Sequence, residues 1–444
     1  MTNPVPSPTG PALPAQLRIE PIGHPIDLEI AVPGSKSITN RYLIMAALAE
    51  GQVRLSGVLR SDDTYYMCEG LRALGFQVDP DWDAQTCRIM GEGGRIPAKG
   101  AEIFVGAAGT VMRFLSAFVT LGHGRFRLDG TQRMRERPIE DLLQGLRLIN
   151  VNAYSEQGNL CPPVIVEANG LVGGPTSIDG SRSSQYLSAL LLVAPYAKLL
   201  TQIEVSGTFV SRPFVELTLK AMSDFGVTTS THGERVYRPI HGAKYRPGRY
   251  EVEGDATAAS YFLAAAAILG GRCCVTNVSA DSAQGDSHFA DVLRRMGCNV
   301  RKGFLAGNRG IEVSRDPKIP LQAVDADLND MPDVVLSLAA VCMFAQGTSS
   351  IVNIGNLRIK ETDRLKALAT ELGKLGAEID EGDDYLEITP GAPKDAAIDT
   401  YDDHRMAMSM ALVGLGRPGV TINAPSCVSK TYPNYFTDLE RLRK

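Results

Sequence analysis

Lysine and arginine recur in this chain where a polar turn runs into an apolar helix. Lys36 and Arg41 stand in AVPGSKSITNR at 31–41, and Arg133, Arg135 and Arg137 in QRMRERPIE at 132–140. Lys360 and Arg364 follow in RIKETDR at 358–364, Arg405 in DDHR at 402–405, and Lys430 in VSKTYP at 428–433. A helix N-terminus presents unpaired backbone N–H groups and the positive end of a dipole, so cations placed there suit phosphate or carboxylate ligands. Ser37 and Arg41 are four apart and share a helix face, where a hydroxyl and a guanidinium can grip one phosphate. PGSKS lacks the upstream glycine and the Gly-Lys order of a Walker A loop, which argues against an ATP site. SRSSQ at 181–185 puts three hydroxyls and an amide at another helix start, either as capping groups or for a hydroxyl-rich ligand.

Carboxylates sit among these cations. Asp333 follows Pro332, and proline fits the first helical position, so the acid is expected in the first turn of a buried helix. Its ionised form is favoured there, and facing a ligand hydroxyl it would make a general base. Glu361 lies beside Lys360 and three residues before Arg364, either as a surface ion pair or as a second proton carrier. His404, between Asp403 and Arg405, is either a structural histidine or a further proton carrier.

The elements that must position these groups repeat. Turns read at 31–41, 104–113, 177–185, 252–260, 325–333 and 399–405, each between an alternating strand and an almost wholly apolar helix. With Lys36, Gly109, Ser183, Asp255, Asp333 and Asp403 as markers, the intervals are 73, 74, 72, 78 and 70 residues. That regularity implies one supersecondary unit copied six times. A second helix closes each unit, ending in Gly or Asn before another strand, as in LRALGFQV at Leu71 and LGKLGAEI at Leu372. The first helix class is apolar all round and should be buried. The second carries a stripe, such as Leu365, Leu368, Leu372 and Leu375, and should be half exposed.

At 444 residues the chain exceeds one compact core, and six units divide into two groups of three. The net charge of −5 argues against a nucleic-acid partner while leaving small anions possible. The eight cysteines show neither CxxC pairing nor histidine at ligand spacing, so no metal site or disulfide framework is expected and the chain reads as cytoplasmic. No apolar run approaches the roughly 18 residues of a membrane span. Residues 1–15 read as a disordered tail.

Together, PGSKSITNR, AGTVMR, RMRERPI, GSRSSQYL, EGDATAASYFLAAA, LRIKETDRL, DDHRMAM and SKTYPNYF, in this order over about residues 31 to 437, closely resemble the 5-enolpyruvylshikimate-3-phosphate synthase family. The resemblance implies an inside-out α/β barrel fold of two domains, each of three βαβαββ units. Domain 1 would span 34–253, domain 2 would combine 16–33 with 254–444, and ligands would sit between them. It implies transfer of the enolpyruvyl group of phosphoenolpyruvate to the 5-hydroxyl of shikimate 3-phosphate, releasing phosphate, by an enzyme expected to be monomeric and to need no cofactor. Carried over residue by residue, Lys36, Ser37, Arg41, Ser183, Ser184, Gln185, Ser211, Asp333, Asn356 and Lys360 would contact shikimate 3-phosphate. Lys36, Gly109, Arg133, Gln185, Arg364, Arg405 and Lys430 would hold phosphoenolpyruvate. Asp333, Glu361 and Lys36 would be catalytic, with His404 a further possibility.

Three positions depart from the family pattern. Ala107 stands where an asparagine is common, Phe114 where proline is frequent, and Phe214 where a tyrosine often lines the shikimate site. A lost neutral hydrogen bond is worth about 0.5–1.5 kcal/mol, so such changes should tune binding. The rival readings are a UDP-N-acetylglucosamine enolpyruvyl transferase, whose cysteine-bearing loop has no counterpart here, a non-catalytic phosphosugar-binding protein, and an RNA-end-processing enzyme. The last would need a basic groove and stacking aromatics that this composition does not favour.

Overall fold

A computed structural model describes residues 11–305 and 307–444, and most of the expected tail at 1–15 lies outside them. Its last residue, Ala15, is already tied in, its carbonyl accepting from Ala424 N–H at 2.8 Å. The described residues divide into two compact units, 34–252 and 11–33 with 253–444. Among the described residues no helix is long and apolar enough to cross a membrane.

The first unit holds α1 (Lys36–Leu48), α2 (Asp62–Ala73), α3 (Gly109–Phe118), α4 (Glu140–Leu148), α5 (Ser184–Val193) and α6 (Pro213–Asp224). The second holds α7 (Ala256–Leu269), α8 (Phe289–Arg295), α9 (Val335–Cys342), α10 (Arg364–Lys374), α11 (His404–Gly416) and α12 (Tyr435–Leu439). Odd-numbered helices are the apolar class, and their side chains are buried almost without exception. They pack on one another at the centre of each unit: α1, α3 and α5 in the first, α7, α9 and α11 in the second. Even-numbered helices bury one face. In α10 that face is the expected stripe, with Leu365, Leu368 and Leu372 inaccessible, and Leu375 just beyond its end equally so.

Five sheets share one plan. In the second repeat, Gly100–Phe104 runs parallel to His123–Asp129, which pairs antiparallel with Val164–Asn169, itself antiparallel to Asn152–Ser155. That is the βαβαββ order, in which the first two strands need a helical crossover and the last two need only a hairpin. Burial alternates along the strands, so each sheet turns one face to the helices and one to solvent. The first and fourth repeats take their leading strands from across the chain. Gly248–Glu251 joins Glu50–Ser56, and Ile26–Ile30 joins Gly271–Val275, both in parallel. The sixth repeat is short and is completed by Gln16–Ile19 pairing antiparallel with Val420–Asn423.

The turn that launches α1 depends on close backbone approach. A Cβ at Gly34 would lie 1.8 Å from the Gly57 carbonyl oxygen, and Gly57 has φ +69° with its own missing Cβ 2.5 Å from the Val252 carbonyl oxygen. Gly34→Ala must therefore displace backbone, and overpacking of this kind costs about 1–3 kcal/mol. Urea unfolding should show a lower midpoint for this variant; an unchanged midpoint would mean the turn is pliable.

Candidate active site

Each unit gathers charge at the starts of its inner helices. In the first unit, Ser35 caps α1 by accepting from Ile38 N–H at 3.4 Å, and Ser183 caps α5 by accepting from Gln185 N–H at 3.2 Å. Capping is thus one role of the SRSSQ hydroxyls, and the Gln185 amide donates to Thr110 Oγ1 at 3.1 Å, joining the starts of α5 and α3. Ser184 is buried, as is Ser211, which holds φ +54°, a left-handed conformation uncommon for serine. Helix α3 has no side-chain cap.

Arg41 is 2% exposed, and among the described residues its guanidinium binds only neutral groups. Nε donates to Thr218 Oγ1 at 2.8 Å, one terminal nitrogen to the Ser37 carbonyl at 2.8 Å, and the other to Ser188 Oγ at 3.4 Å and the Phe214 carbonyl at 2.8 Å. The Phe114 ring lies beneath it, 5.3 Å from centroid to guanidinium carbon. The bond to the Ser37 carbonyl holds Arg41 beside the serine with which it shares a helix face. Burial lowers the Arg41 pKa to about 9, so the charge persists at neutral pH, with no carboxylate among the described residues paired to it. An incoming oxyanion would supply that balance. Two of the departing residues, Phe114 and Phe214, are in direct contact with this cation.

Gly109 opens α3. A Cβ there would stand 2.7 Å from an Arg113 nitrogen and 2.8 Å from both terminal nitrogens of Arg137. Arg113, one turn on, donates back to the Gly109 carbonyl at 3.1 Å and to the Pro138 carbonyl at 2.9 Å; Arg137 reaches the Ala107 carbonyl at 3.4 Å. Both guanidiniums are buried. Arg133, the one of the three arginines at 133–137 that the resemblance assigns to phosphoenolpyruvate, is about one-third exposed and pairs with Glu136 at 3.1 Å. The four-residue spacing from Gly109 to Arg113 was the signal that sequence reasoning passed over. Lys36 Nζ stands 3.8 Å from Asp63 Oδ2 on α2.

In the second unit the cations and acids alternate. Arg364, 1% exposed, donates to both Asp403 oxygens at 2.8 and 3.2 Å, to Glu361 at 2.9 Å and to Asp333 at 3.3 Å. Asp333 also accepts from Arg405 at 2.9 Å, and Glu361 from Lys430 at 2.8 Å. Each of these two acids therefore lies between two cations. Burial works against the charge on Arg364, but Asp403 and Glu361 outweigh it and the net shift is upward; Arg405 is likewise raised, burial being outweighed by Asp333 above all. Asn356 is buried in the Gly355–Ile359 turn that precedes Lys360.

The expected position of Asp333 needs correction. Pro332–Val334 forms a separate 3-10 turn and α9 starts at Val335, so Asp333 precedes the α-helix. His404 is fully buried, its Nδ1 3.6 Å from Asp403 Oδ1, on a carboxylate already committed to Arg364 and to capping α11 through Arg405 N–H. It has no solvent-facing surface through which to exchange a proton.

Asp286 was not foreseen. It is buried in the turn Gly285–His288, accepts from the Thr257 hydroxyl through Oδ2, and has no partner for Oδ1 among the described residues. Burial first, then the negative charge of Asp333, push its pKa up to about 7, with Arg405 opposing.

Comparison with known proteins places these residues in context. Residues 21–439 match the family described as EPSP synthase (3-phosphoshikimate 1-carboxyvinyltransferase). A 3-phosphoshikimate 1-carboxyvinyltransferase of Shewanella baltica strain OS155 is 46% identical over 433 residues, 96% of this chain and 99% of the relative. That of Photobacterium damsela subsp. piscicida is 46% identical over 434 residues, with the same coverage. Among solved structures, EPSP synthase from Acinetobacter baumannii superposes with TM-score 0.79 at 24% identity, covering 96% of this chain and 98% of that one. The enolpyruvyl transferase NikO from Streptomyces tendae superposes with TM-score 0.73 at 19% identity, covering 96% and 97%. At those identities the structures speak to the fold, which is the two-domain inside-out α/β arrangement.

The raised pKa of Asp286 gives a signed pH dependence. From the ordinary carboxylate value of 3.8 up to about 7, the unfolded chain has released a proton that the folded one keeps, so this group lowers stability as pH rises through that window. Asp286→Asn keeps the neutral shape. Its melting temperature should exceed the parent's at pH 8 and match it near pH 4; an equal difference at both pH values would exclude Asp286 as the titrating group.

Proposed function

Because the chain belongs to the EPSP synthase (3-phosphoshikimate 1-carboxyvinyltransferase) family, we propose that it transfers the enolpyruvyl group of phosphoenolpyruvate to the 5-hydroxyl of shikimate 3-phosphate and releases phosphate. This is the carboxyvinyl-transfer step of the shikimate pathway to chorismate and the aromatic amino acids.

The observation that carries the reading is the placing of Asp333 and Glu361 each between two cations. A proton taken up or given up by an acid held in that way is compensated by its two cations, and those cations can accept a negative ligand in its stead. In the proposed reaction the 5-oxygen bonds to C2 of phosphoenolpyruvate while its proton is removed and C3 receives one, giving a tetrahedral intermediate. C3 then loses a proton, the C2–O bond to phosphate breaks, and phosphate leaves. Asp333 and Glu361 are the two proton carriers, one at the hydroxyl and one at the methylene carbon. Both substrates are multiply charged anions, so their approach to one another requires fixed cations. Arg41, with Ser37, Ser183, Ser184, Gln185, Ser211, Asn356 and Lys360, serves shikimate 3-phosphate. Lys36, Arg133, Arg364, Arg405 and Lys430, with Gly109, serve phosphoenolpyruvate. The burial of Arg113 and Arg137 beside Gly109 adds two guanidiniums to that second group.

Phosphate release by the purified protein tests this directly, with phosphoenolpyruvate and either shikimate 3-phosphate or UDP-N-acetylglucosamine as acceptor. Release with shikimate 3-phosphate alone is expected. Release only with the nucleotide sugar would reassign the acceptor, and none with either would leave a binding protein.

Asp333→Asn keeps the shape and one acceptor for Arg364 and Arg405 but removes the base. Its kcat should fall by about 10²-fold or more, the usual contribution of a general base, while both substrates still bind. A kcat near the parent value would remove Asp333 from the proton-transfer steps.

A further inference from the structure

The sheet of the first repeat carries arginine where none of the catalytic assignments needs it. Arg249, Arg54 and Arg88 occupy one cross-strand row on three adjacent strands: Arg249 is directly opposite Arg54, and Arg54 directly opposite Arg88. All three are exposed, on the face away from the buried Val53, Leu55 and Ile89. Like charges directly opposite across a sheet repel, so such a row is unfavourable by itself. Only Arg88, the last in the row, meets a carboxylate, Asp79 at 2.7 Å. The sole partner of Arg54 is the side-chain oxygen of Gln52, at 3.4 Å, and Arg249 has no hydrogen-bond or ion-pair partner among the described residues.

These arginines line an open cavity of about 850 Å³ together with Arg60 and Trp82, the single tryptophan of the chain. A cavity of this size is in the range of small-ligand sites. Three acids line the same cavity: Asp83 pairs with Arg60 at 2.9 Å, Asp79 with Arg88 at 2.7 Å, and Asp81 accepts from Ala84 N–H at 2.9 Å, so Arg54 and Arg249 are the lining cations without an ion pair among the described residues. Strands in a sheet lie about 4.8 Å apart, so the two arginines start one strand spacing from each other, suited to neighbouring phosphates of one chain. Guanidinium forks match phosphate oxygens, and the half-buried Trp82 offers an aromatic face for a planar ring.

We propose that this groove is a second ligand site, separate from the residues assigned to catalysis, for a small molecule of the nucleoside-phosphate class. The phosphates bridge Arg54 and Arg249, and the base lies against Trp82.

The experiment titrates the full-length protein with ADP, inorganic pyrophosphate and adenosine while following Trp82 fluorescence, with calorimetry in parallel. Saturable quenching by ADP is expected, tighter than that of pyrophosphate or adenosine. Arg54→Ala with Arg249→Ala should weaken it by about tenfold or more, as for the loss of two charge-assisted contacts. The single variant Arg249→Gln, at an exposed position, should weaken it in the same direction. Melting temperature and the rate of phosphate release should be unchanged or, for stability, raised by the relief of repulsion. Absence of saturable ADP binding, an unchanged curve in the double variant, or pyrophosphate binding as tightly as ADP would each overturn the proposal.

Discussion

Burying a guanidinium removes its hydration, and a structure that does so must return compensating partners or leave a site that wants an anion. This protein does both. Arg364 in the second unit is surrounded by its own acids, Asp403, Glu361 and Asp333, whereas Arg41 in the first meets carbonyls, hydroxyls and a phenyl ring. One arrangement sets carboxylates among cations. The other keeps a positive charge in reserve for a ligand.

The fold leaves few places for such charge. Inner helices such as α7 and α9 are apolar on every face and sit at the centre of a unit, so an ionised side chain along most of their length would meet hydrocarbon. Their N-terminal ends are different, because backbone N–H groups there still seek acceptors. The chain answers with capping side chains at most of these starts: Ser35 on α1, Ser183 on α5, Asp255 on α7 and Asp403 on α11. Helix α3 alone among the first unit's inner helices lacks one, and there Arg113 and Arg137 crowd the backbone at Gly109.

The departures at Phe114 and Phe214 acquire meaning from Arg41. A phenyl ring under a buried guanidinium supplies a cation–π attraction that grows when water is excluded, of order 0.5–2 kcal/mol. The Phe214 contribution is its backbone carbonyl, which accepts from Arg41 and from Thr218 regardless of the side chain. Replacing a ring hydroxyl at position 214 therefore leaves the cation's support in place, while the ring at 114 adds to it.

The repeat, the apolar and striped helix classes, and the identity of the turns that carry charge were all legible in the sequence, because periodicity and capping are local properties set within a few residues. The same holds for Lys36, Arg41, Asp333, Glu361 and Arg405 as residues of interest, each marked by its place at a helix start. What the order of residues left open were the partners. That Arg137 stands at Gly109, that Arg41 is held by Thr218, Ser188 and the Phe214 carbonyl, and that Asp286 lies buried within the field of Asp333 depend on contacts between segments tens to hundreds of residues apart. The arginine row at 249, 54 and 88 is the clearest case, since a strand near the end of the first unit completes a sheet begun near its start. Spacing along the chain fixes what a residue can reach in its own helix or strand; only the pairing of distant strands and the packing of helices decides which charges must share a low-dielectric space.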